Sequence, residues 1–491
     1  MKEIRFFSQI KQRSTIGLLL GPIAFFIILS THPVGLSEAG KAILASSAWV
    51  AIWWISEALP LAVSSLMPII LFPLAGGMTL EQTTASYGHK FIFLYIGGFV
   101  LAMAIERWNL HKRIALVIIN IIGTNLKSII LGFMVATAFL SMWISNTATA
   151  IMMLPIGLAI CSKLDDDPAT RLNEHTAFNK IIMIAIAYSA SIGGVATLVG
   201  TAPNLVLAGV IEEFFDVQIS FVQWLSIGLR VSILLLGTCW FYLTHIAFPF
   251  KKNAFPGGKA LIQSQIKALG PLSIQERRVL YIFIATGLCW ILRALVLDKW
   301  IPNLDDTIIA IVACVAIFII PSDKDFNKKI LKWEEAVKLP WGILLLFGGG
   351  LAIANGFKTS GLAEWVGLQL SSLEGFSPFL ILAILVTSIN FLTEINSNLA
   401  TTTIMLPILA PLGIAIGIHP YIIMAACTIA ASCAFMLPVA TPPNAIVFAS
   451  GHLKIKDMAR TGVWMNIIAL IVISCYVYFF MPIVWDLPVL N

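Results

Sequence analysis

The chain has 491 residues, of which 59% are hydrophobic and 11% charged. A soluble domain of this size cannot hide so much apolar surface, so the composition excludes a water-soluble protein and points to a polytopic membrane chain. The formal net charge of +6 is best read through its distribution, which reports orientation in the membrane; no nucleic-acid partner is expected.

From the start of the chain, Lys2, Arg5, Lys11 and Arg13 precede an apolar segment without a small-residue cleavage site. That pattern predicts a retained first helix rather than a signal peptide. A hydrocarbon core of about 30 Å takes about 20 helical residues to cross. Crossings are predicted near 15–31, 43–57, 60–74, 91–106, 181–215 (interrupted), 224–248, 278–297, 305–321, 340–357, 421–450 (interrupted) and 462–482. Two further apolar runs, near 128–162 and 378–418, are about twice as long as one crossing and carry polar clusters at their middles, Ser145-Asn146-Thr147 and Ser397-Asn398. These read as re-entrant hairpins. The fold expected is all-α and polytopic, with eleven transmembrane helices plus two re-entrant hairpins.

Charge tests that reading. With the hairpins counted as no crossing and a cytoplasmic start, 25 of the 31 Lys and Arg fall in inside loops. Counting either long run as one or three crossings spoils the bias. The first hairpin then opens to the cytoplasm and the second to the outside, with the C-terminus outside and the protein in a plasma membrane, the inner one in a bacterium. The seven cysteines are scattered through apolar segments with no C-x-x-C spacing and are read as small core residues.

Three paired motifs recur in one order. Leu94 to Gly98 is echoed by Leu345 to Gly349; Ser145-Asn146 with Leu154-Pro155 by Ser397-Asn398 with Leu406-Pro407; and Thr201 to Asn204 by Thr441 to Asn444. Because the hairpins face opposite sides, the repeat is inverted, which places a site between two related halves near the bilayer midplane.

The chemistry lies in the hairpin clusters and the helix breaks. Backbone that leaves the helix at membrane depth is tolerated only where it is buried in protein or lines a cavity. The half-helix that starts at a break offers free N–H groups and a positive dipole end to a carboxylate, and the half that ends offers carbonyl oxygens to sodium. Asn146, Thr147, Asn398, Thr201 and Thr441 add neutral donors and acceptors, and no Lys or Arg occupies any cluster. An anion held this way needs bound sodium to supply positive charge, a physical basis for coupling. Ser, Thr and Asn in an isolated cluster are more often interhelical hydrogen-bond partners; four clusters at repeat-related breaks favour the site.

The runs Ser141 to Thr149, Ser189 to Asn204 and Ala431 to Asn444 closely resemble the divalent anion:sodium symporter family of dicarboxylate, citrate and sulfate carriers, from about residue 15 to 482. The resemblance implies a first sodium site from Ser141, Ser145, Asn146 and the Gly200 carbonyl, and a second from Thr393, the Asn396 carbonyl, Asn398 and the Ala440 carbonyl. It implies substrate contacts at Asn146, Thr147, Thr201, Ala202, Asn398, Leu399, Thr441 and Pro442. It implies an elevator-type carrier and a homodimer, with scaffold helices in 1–125 and 251–375 and transport-domain halves in 126–250 and 376–491. No cofactor is implied; sodium serves as the coupling ion, and the partners are a small dianion and the lipid bilayer. The function expected is sodium-coupled symport of C4-dicarboxylates such as succinate, malate and fumarate. A sodium-independent dicarboxylate exchanger, or a citrate or sulfate carrier on the same fold, is the alternative. Two positions depart from the family pattern: Leu399 stands where many relatives have Thr, and Thr201-Ala202-Pro203 stands where close relatives have Ser-Pro-Pro.

Other features have plainer readings. The Gly-Gly runs at Gly97 and Gly348 are expected to allow close helix packing. Glu57 is expected at an interface, whereas Glu394, beside Thr393, either tunes the second sodium site or orients the hairpin. His452 and the other loop-end histidines are read as solvated, and Asp165-Asp166-Asp167 as a polar loop. An enzyme needs a convergent acid, base or metal set, and a channel is expected to show a pore ring; the sequence displays neither.

Overall fold

A computed structural model of the chain describes residues 2–123, 125–165, 172–249, 258–323, 328–373 and 375–488. These residues form helices joined by turns and loops, with one isolated bridge, Pro321 to Lys329, and no strand among them. Asp166 and Asp167, and the basic positions Arg171, Lys251, Lys252 and Lys324, lie outside the described residues.

Both predicted hairpins form as pairs of helices meeting at a short polar tip. The first joins Leu126–Ser141 to Asn146–Asp165, and the second joins Pro378–Thr393 to Asn398–Ala415. Both predicted breaks form too. Leu172–Val195 is followed by Ala202–Phe215, and Pro420–Ala431 by Pro442–Ala449. Proline explains where the second halves begin, since Pro203, Pro442 and Pro443 occupy first-turn positions where no backbone N–H is needed. Each half of the chain then closes with a long helix, Phe221–Phe241 and Ile455–Val484, which pack on one another.

The repeat extends further than the sequence motifs. Lys90–Arg107 is followed by the amphipathic helix Leu110–Ile122, and Trp341–Thr359 by Leu362–Leu370. Each short helix packs against an arm of the hairpin that follows it. Among the described residues six helices are individually long and apolar enough to cross a membrane, or seven if the bent pair Leu362–Leu373 and Pro378–Thr393 counts as one span. Several predicted crossings correspond to shorter pieces: Leu61–Ser64 with Met67–Ala75, Asp306–Ile319 and the two halves of the second broken helix.

Close packing follows the glycines as expected. A Cβ on Gly97 would lie 2.6 Å from the Ala310 carbonyl oxygen, and one on Gly349 would lie 2.5 Å from that of Ser65. These glycines let Lys90–Arg107 and Trp341–Thr359 approach their neighbours at backbone distance. Glu57 is exposed and takes the left-handed conformation (φ 50°) that ends Glu38–Ser56. The seven cysteines are all free.

Candidate functional site

The two hairpin tips are built alike. Ser145 and Ser397 cap the outgoing arms, accepting from Ala148 N at 3.3 Å and Ala400 N at 3.5 Å. Asn146 and Asn398 are the first residues of those arms, so their amides sit where free N–H groups and the positive end of the helix dipole are concentrated.

Behind each asparagine lies a triad of oxygens. Ser141 Oγ is 2.6 Å from Asn146 Oδ1 and 2.6 Å from the Ala190 carbonyl oxygen. Thr393 Oγ1 is 2.7 Å from Asn398 Oδ1 and 2.9 Å from the Ala431 carbonyl oxygen. A hydroxyl carries one proton, so it donates to only one of its two neighbours. With the asparagine amide turned this way the remaining oxygen pair has no hydrogen between, an arrangement that a cation among the oxygens relieves, as does turning the amide to present Nδ2. Ser141 and Thr393 are fully buried, and dehydrated oxygen ligands on semi-rigid backbone suit a hard monovalent cation. The oxygens of both triads belong to hydroxyls, amides and backbone carbonyls, so a cation here would rest on neutral ligands.

The breaks are tied to the tips and to themselves. Asn204 Nδ2 lies within hydrogen-bond distance of the carbonyls of Gly194, Val195 and Thr197, among which its two hydrogens are shared, and Asn444 Nδ2 donates to those of Ala434 and Leu437. Each asparagine thereby gathers carbonyls left orphaned where its helix stops. Thr197 Oγ1 donates to the Met142 carbonyl at 2.5 Å, fastening the first break to the first tip. Gly200 packs on Gly194, where a Cβ on Gly200 would be 2.5 Å from the Gly194 carbonyl oxygen. A Cβ on Gly194 would in turn be 2.4 Å from Asn146 Oδ1, so only glycine lets the break approach the tip this closely.

In the second half the fastening is a carboxylate. Glu394 Oε1 accepts from Phe435 N at 2.7 Å, Met436 N at 2.9 Å and Asn466 Nδ2 at 2.7 Å, and Oε2 accepts from Leu437 N at 3.0 Å. These bonds are the ones the orienting reading of Glu394 calls for. Asn390 Nδ2 adds bonds to the Cys433 carbonyl at 2.7 Å and that of Ala430 at 3.3 Å. Asn390 and Asn466 lie outside the polar tips and breaks along the chain, and Thr197 lies inside the run Ser189 to Asn204 as one small polar residue among several.

The halves cross over. The arm that starts at Asn146 packs against Pro442–Ala449, and the arm that starts at Asn398 packs against Ala202–Phe215. Four helix N-termini, at Asn146, Ala202, Asn398 and Pro442, thus start from the tips and breaks in two packed pairs. Thr441 caps its helix by accepting from Asn444 N at 3.3 Å, whereas Thr201 makes no side-chain cap bond. Leu399 is 7% exposed and Ala202 9%, while Thr147 and Thr201 are half-buried and Pro442 is exposed. Asn396 is buried and lines a small cavity with Trp54, Leu392 and Thr401. Ala440 N closes a turn on the Leu437 carbonyl at 3.2 Å.

Comparison with known proteins agrees with this architecture. A family model described as the sodium:sulfate symporter transmembrane region matches residues 12–486. The chain is 46% identical over 498 residues to the sodium-dependent dicarboxylate transporter SdcS of Staphylococcus aureus (strain USA300), covering 99% of this chain and 96% of that one. Among solved structures, the YdaH transporter of Alcanivorax borkumensis superposes with a TM-score of 0.59 at 12% identity over 98% of both chains. MtrF of Neisseria gonorrhoeae does so with a TM-score of 0.57 at 11% identity over 94% of both; at these identities the likeness concerns the fold alone.

Proposed function

We propose that this chain, which belongs to the sodium:sulfate symporter family, carries C4-dicarboxylates such as succinate, malate and fumarate into the cell together with sodium ions. The observation that carries the reading is the pair of proton-poor oxygen triads, Ser141–Asn146–Ala190 and Thr393–Asn398–Ala431, at repeat-related places. The name of the 46% identical relative, a sodium-dependent dicarboxylate transporter, supports the choice of anion.

The mechanism follows from the charges that are absent. No Lys or Arg lies within 141–149, 189–204, 393–403 or 431–444, so a dianion between the tips meets only amides, hydroxyls and helix N-termini. Each N-terminus offers roughly half a positive charge, which does not balance two carboxylates in a low-dielectric site. Sodium ions at the two triads complete the balance, so the anion binds well only to the ion-loaded protein. Turning the Asn146 or Asn398 amide over supplies the triad's missing proton and withdraws an oxygen ligand. The two orientations therefore serve an ion-free and an ion-loaded state.

In this reading Ser141, Ser145, Asn146 and Gly200 hold one sodium, and Thr393, Asn396, Asn398 and Ala440 the other, with the Ala190 and Ala431 carbonyls beside them. Asn146, Thr147, Thr201, Ala202, Asn398, Leu399, Thr441 and Pro442 face the anion. The helices of 126–250 and 376–491 move as a transport domain against a dimerising scaffold formed by 1–125 and 251–375, with the N-terminus in the cytoplasm and the C-terminus outside. The experiment is uptake of labelled succinate, malate, citrate and sulfate into proteoliposomes with sodium or potassium outside. Succinate and malate uptake that needs sodium is the expected result; equal uptake in potassium overturns the coupling, and a preference for citrate or sulfate overturns the choice of anion.

A further inference from the structure

Tyr188 lies in Leu172–Val195, part of the first half of the repeat, and is fully buried. Its hydroxyl donates at 2.7 Å to the Phe435 carbonyl in the second break, and the two rings lie 4.8 Å apart. Two residues along the same helix, the Ala190 carbonyl belongs to the first oxygen triad. At the other end, the Phe435 amide is held by Glu394, the neighbour of Thr393 in the second triad. A short covalent and hydrogen-bonded path therefore runs from one triad to the other through Tyr188.

This bond is not a requirement of the half-repeat as such. Alignment on the triads pairs Tyr188 with the apolar Ile429, and alignment on the Thr-x-Pro-Asn motifs pairs it with Thr428, whose hydroxyl makes no hydrogen bond among the described residues. The second broken helix forms without a matching bond, so the hydroxyl serves something that only one direction of the inverted pair needs.

We propose that Tyr188 is a positioning residue that couples occupancy of the two ion sites. The inference rests on the sodium-symport reading of the triads. An ion drawn to Ser141, Asn146 and Ala190 fixes the helix segment that carries Tyr188. The hydroxyl then holds the Phe435 carbonyl, and with it the 435–440 link that ends at Ala440, in the place a second ion requires. The second ion meets a site whose ordering has already been met, which is positive cooperativity through a shared, pre-organised element. A net hydrogen bond of ordinary strength corresponds to a coupling of about 2- to 12-fold in affinity.

The test is the sodium dependence of succinate uptake in proteoliposomes for the parent, Tyr188→Phe and Tyr87→Phe. Tyr87 is a fair control because its hydroxyl also donates to a backbone carbonyl, that of Ser65, outside both breaks. The parent is expected to respond sigmoidally, Tyr188→Phe with a shallower slope and a higher half-saturating sodium concentration, and Tyr87→Phe like the parent. A second measurement does not depend on the Tyr188 variant inserting well: sodium titration of hydrogen exchange in the 432–441 link, in the parent and in Ser141→Ala. Removing the first triad's hydroxyl should move the midpoint of protection in the second break to higher sodium. An unchanged slope in Tyr188→Phe, a parent slope of 1, or an unmoved midpoint in Ser141→Ala overturns the coupling. Uptake by the parent that is indifferent to sodium instead overturns the functional reading beneath it.

Discussion

Thr393→Val is the sharpest single probe of the triads. Valine keeps the branched shape and removes one hydroxyl from a fully buried position. The hydroxyl's partners, Asn398 Oδ1 at 2.7 Å and the Ala431 carbonyl at 2.9 Å, remain in place. If the hydroxyl is structural, its loss leaves a buried acceptor without its donor, at a cost of about 1–3 kcal/mol of stability. Yield and melting temperature would then fall, and the sodium dependence of the protein that folds would not change. If the hydroxyl is an ion ligand, the loss appears in sodium affinity. The ion–dipole contact of one hydroxyl with a cation is taken as comparable to a hydrogen bond to a charged group, about 1.5–3 kcal/mol or roughly 10- to 150-fold, and a water taking the vacant position recovers part of it, so about a tenfold rise in half-saturating sodium is expected. The assay is initial succinate uptake against sodium, normalised to reconstituted protein. A curve superimposable on the parent's, whatever the yield, refutes the assignment of Thr393 as a ligand.

Asn146→Ala and Asn398→Ala each remove an amide proposed to serve both ion and anion, and uptake should fall to background while the protein still inserts; uptake at the parent's rate by either one removes that residue from the site. Leu399→Thr adds a hydroxyl and frees volume, so apparent affinities for succinate, malate, citrate and sulfate at saturating sodium should change rank by up to about 10-fold while sodium dependence persists; four unchanged affinities place Leu399 outside the anion site. For topology, Glu81 and Lys267 are both exposed, near opposite ends of predicted crossings. An impermeant thiol reagent added outside should label Glu81→Cys and spare Lys267→Cys in a cysteine-free background, and the reverse pattern inverts the orientation read from Lys and Arg.

The hairpins and broken helices were legible in the sequence because polar residues interrupt runs too apolar to tolerate them without a purpose. Ser145-Asn146, Ser397-Asn398 and the Thr-x-Pro-Asn pairs are such interruptions, and the structure forms a tip or a break at each. Leu110–Ile122 and Leu362–Leu370 were not legible as separate helices. They are short and flanked by neighbouring apolar runs, and Leu110–Ile122 has Lys112 and Arg113 within it, so nothing marks them as crossings. The triads were half legible. Their side chains stand within five residues of each other in the chain, whereas the Ala190 and Ala431 carbonyls lie 49 and 38 residues away and carry no sequence mark at all. Glu394 could be noticed as a buried charge. That its carboxylate gathers three successive amides at Phe435, Met436 and Leu437 depends on a long-range approach that only the folded chain displays.

The account's central claim is that sodium binding and anion movement are one process, and a gradient experiment addresses it most directly. Vesicles containing the purified protein and no internal dicarboxylate are diluted into labelled succinate with an inward sodium gradient, and the internal concentration is followed with time. Symport predicts transient accumulation of succinate above its external concentration, abolished when sodium is equal on both sides. Uptake that requires a dicarboxylate already inside and ignores the sodium gradient would identify an exchanger and contradict the account.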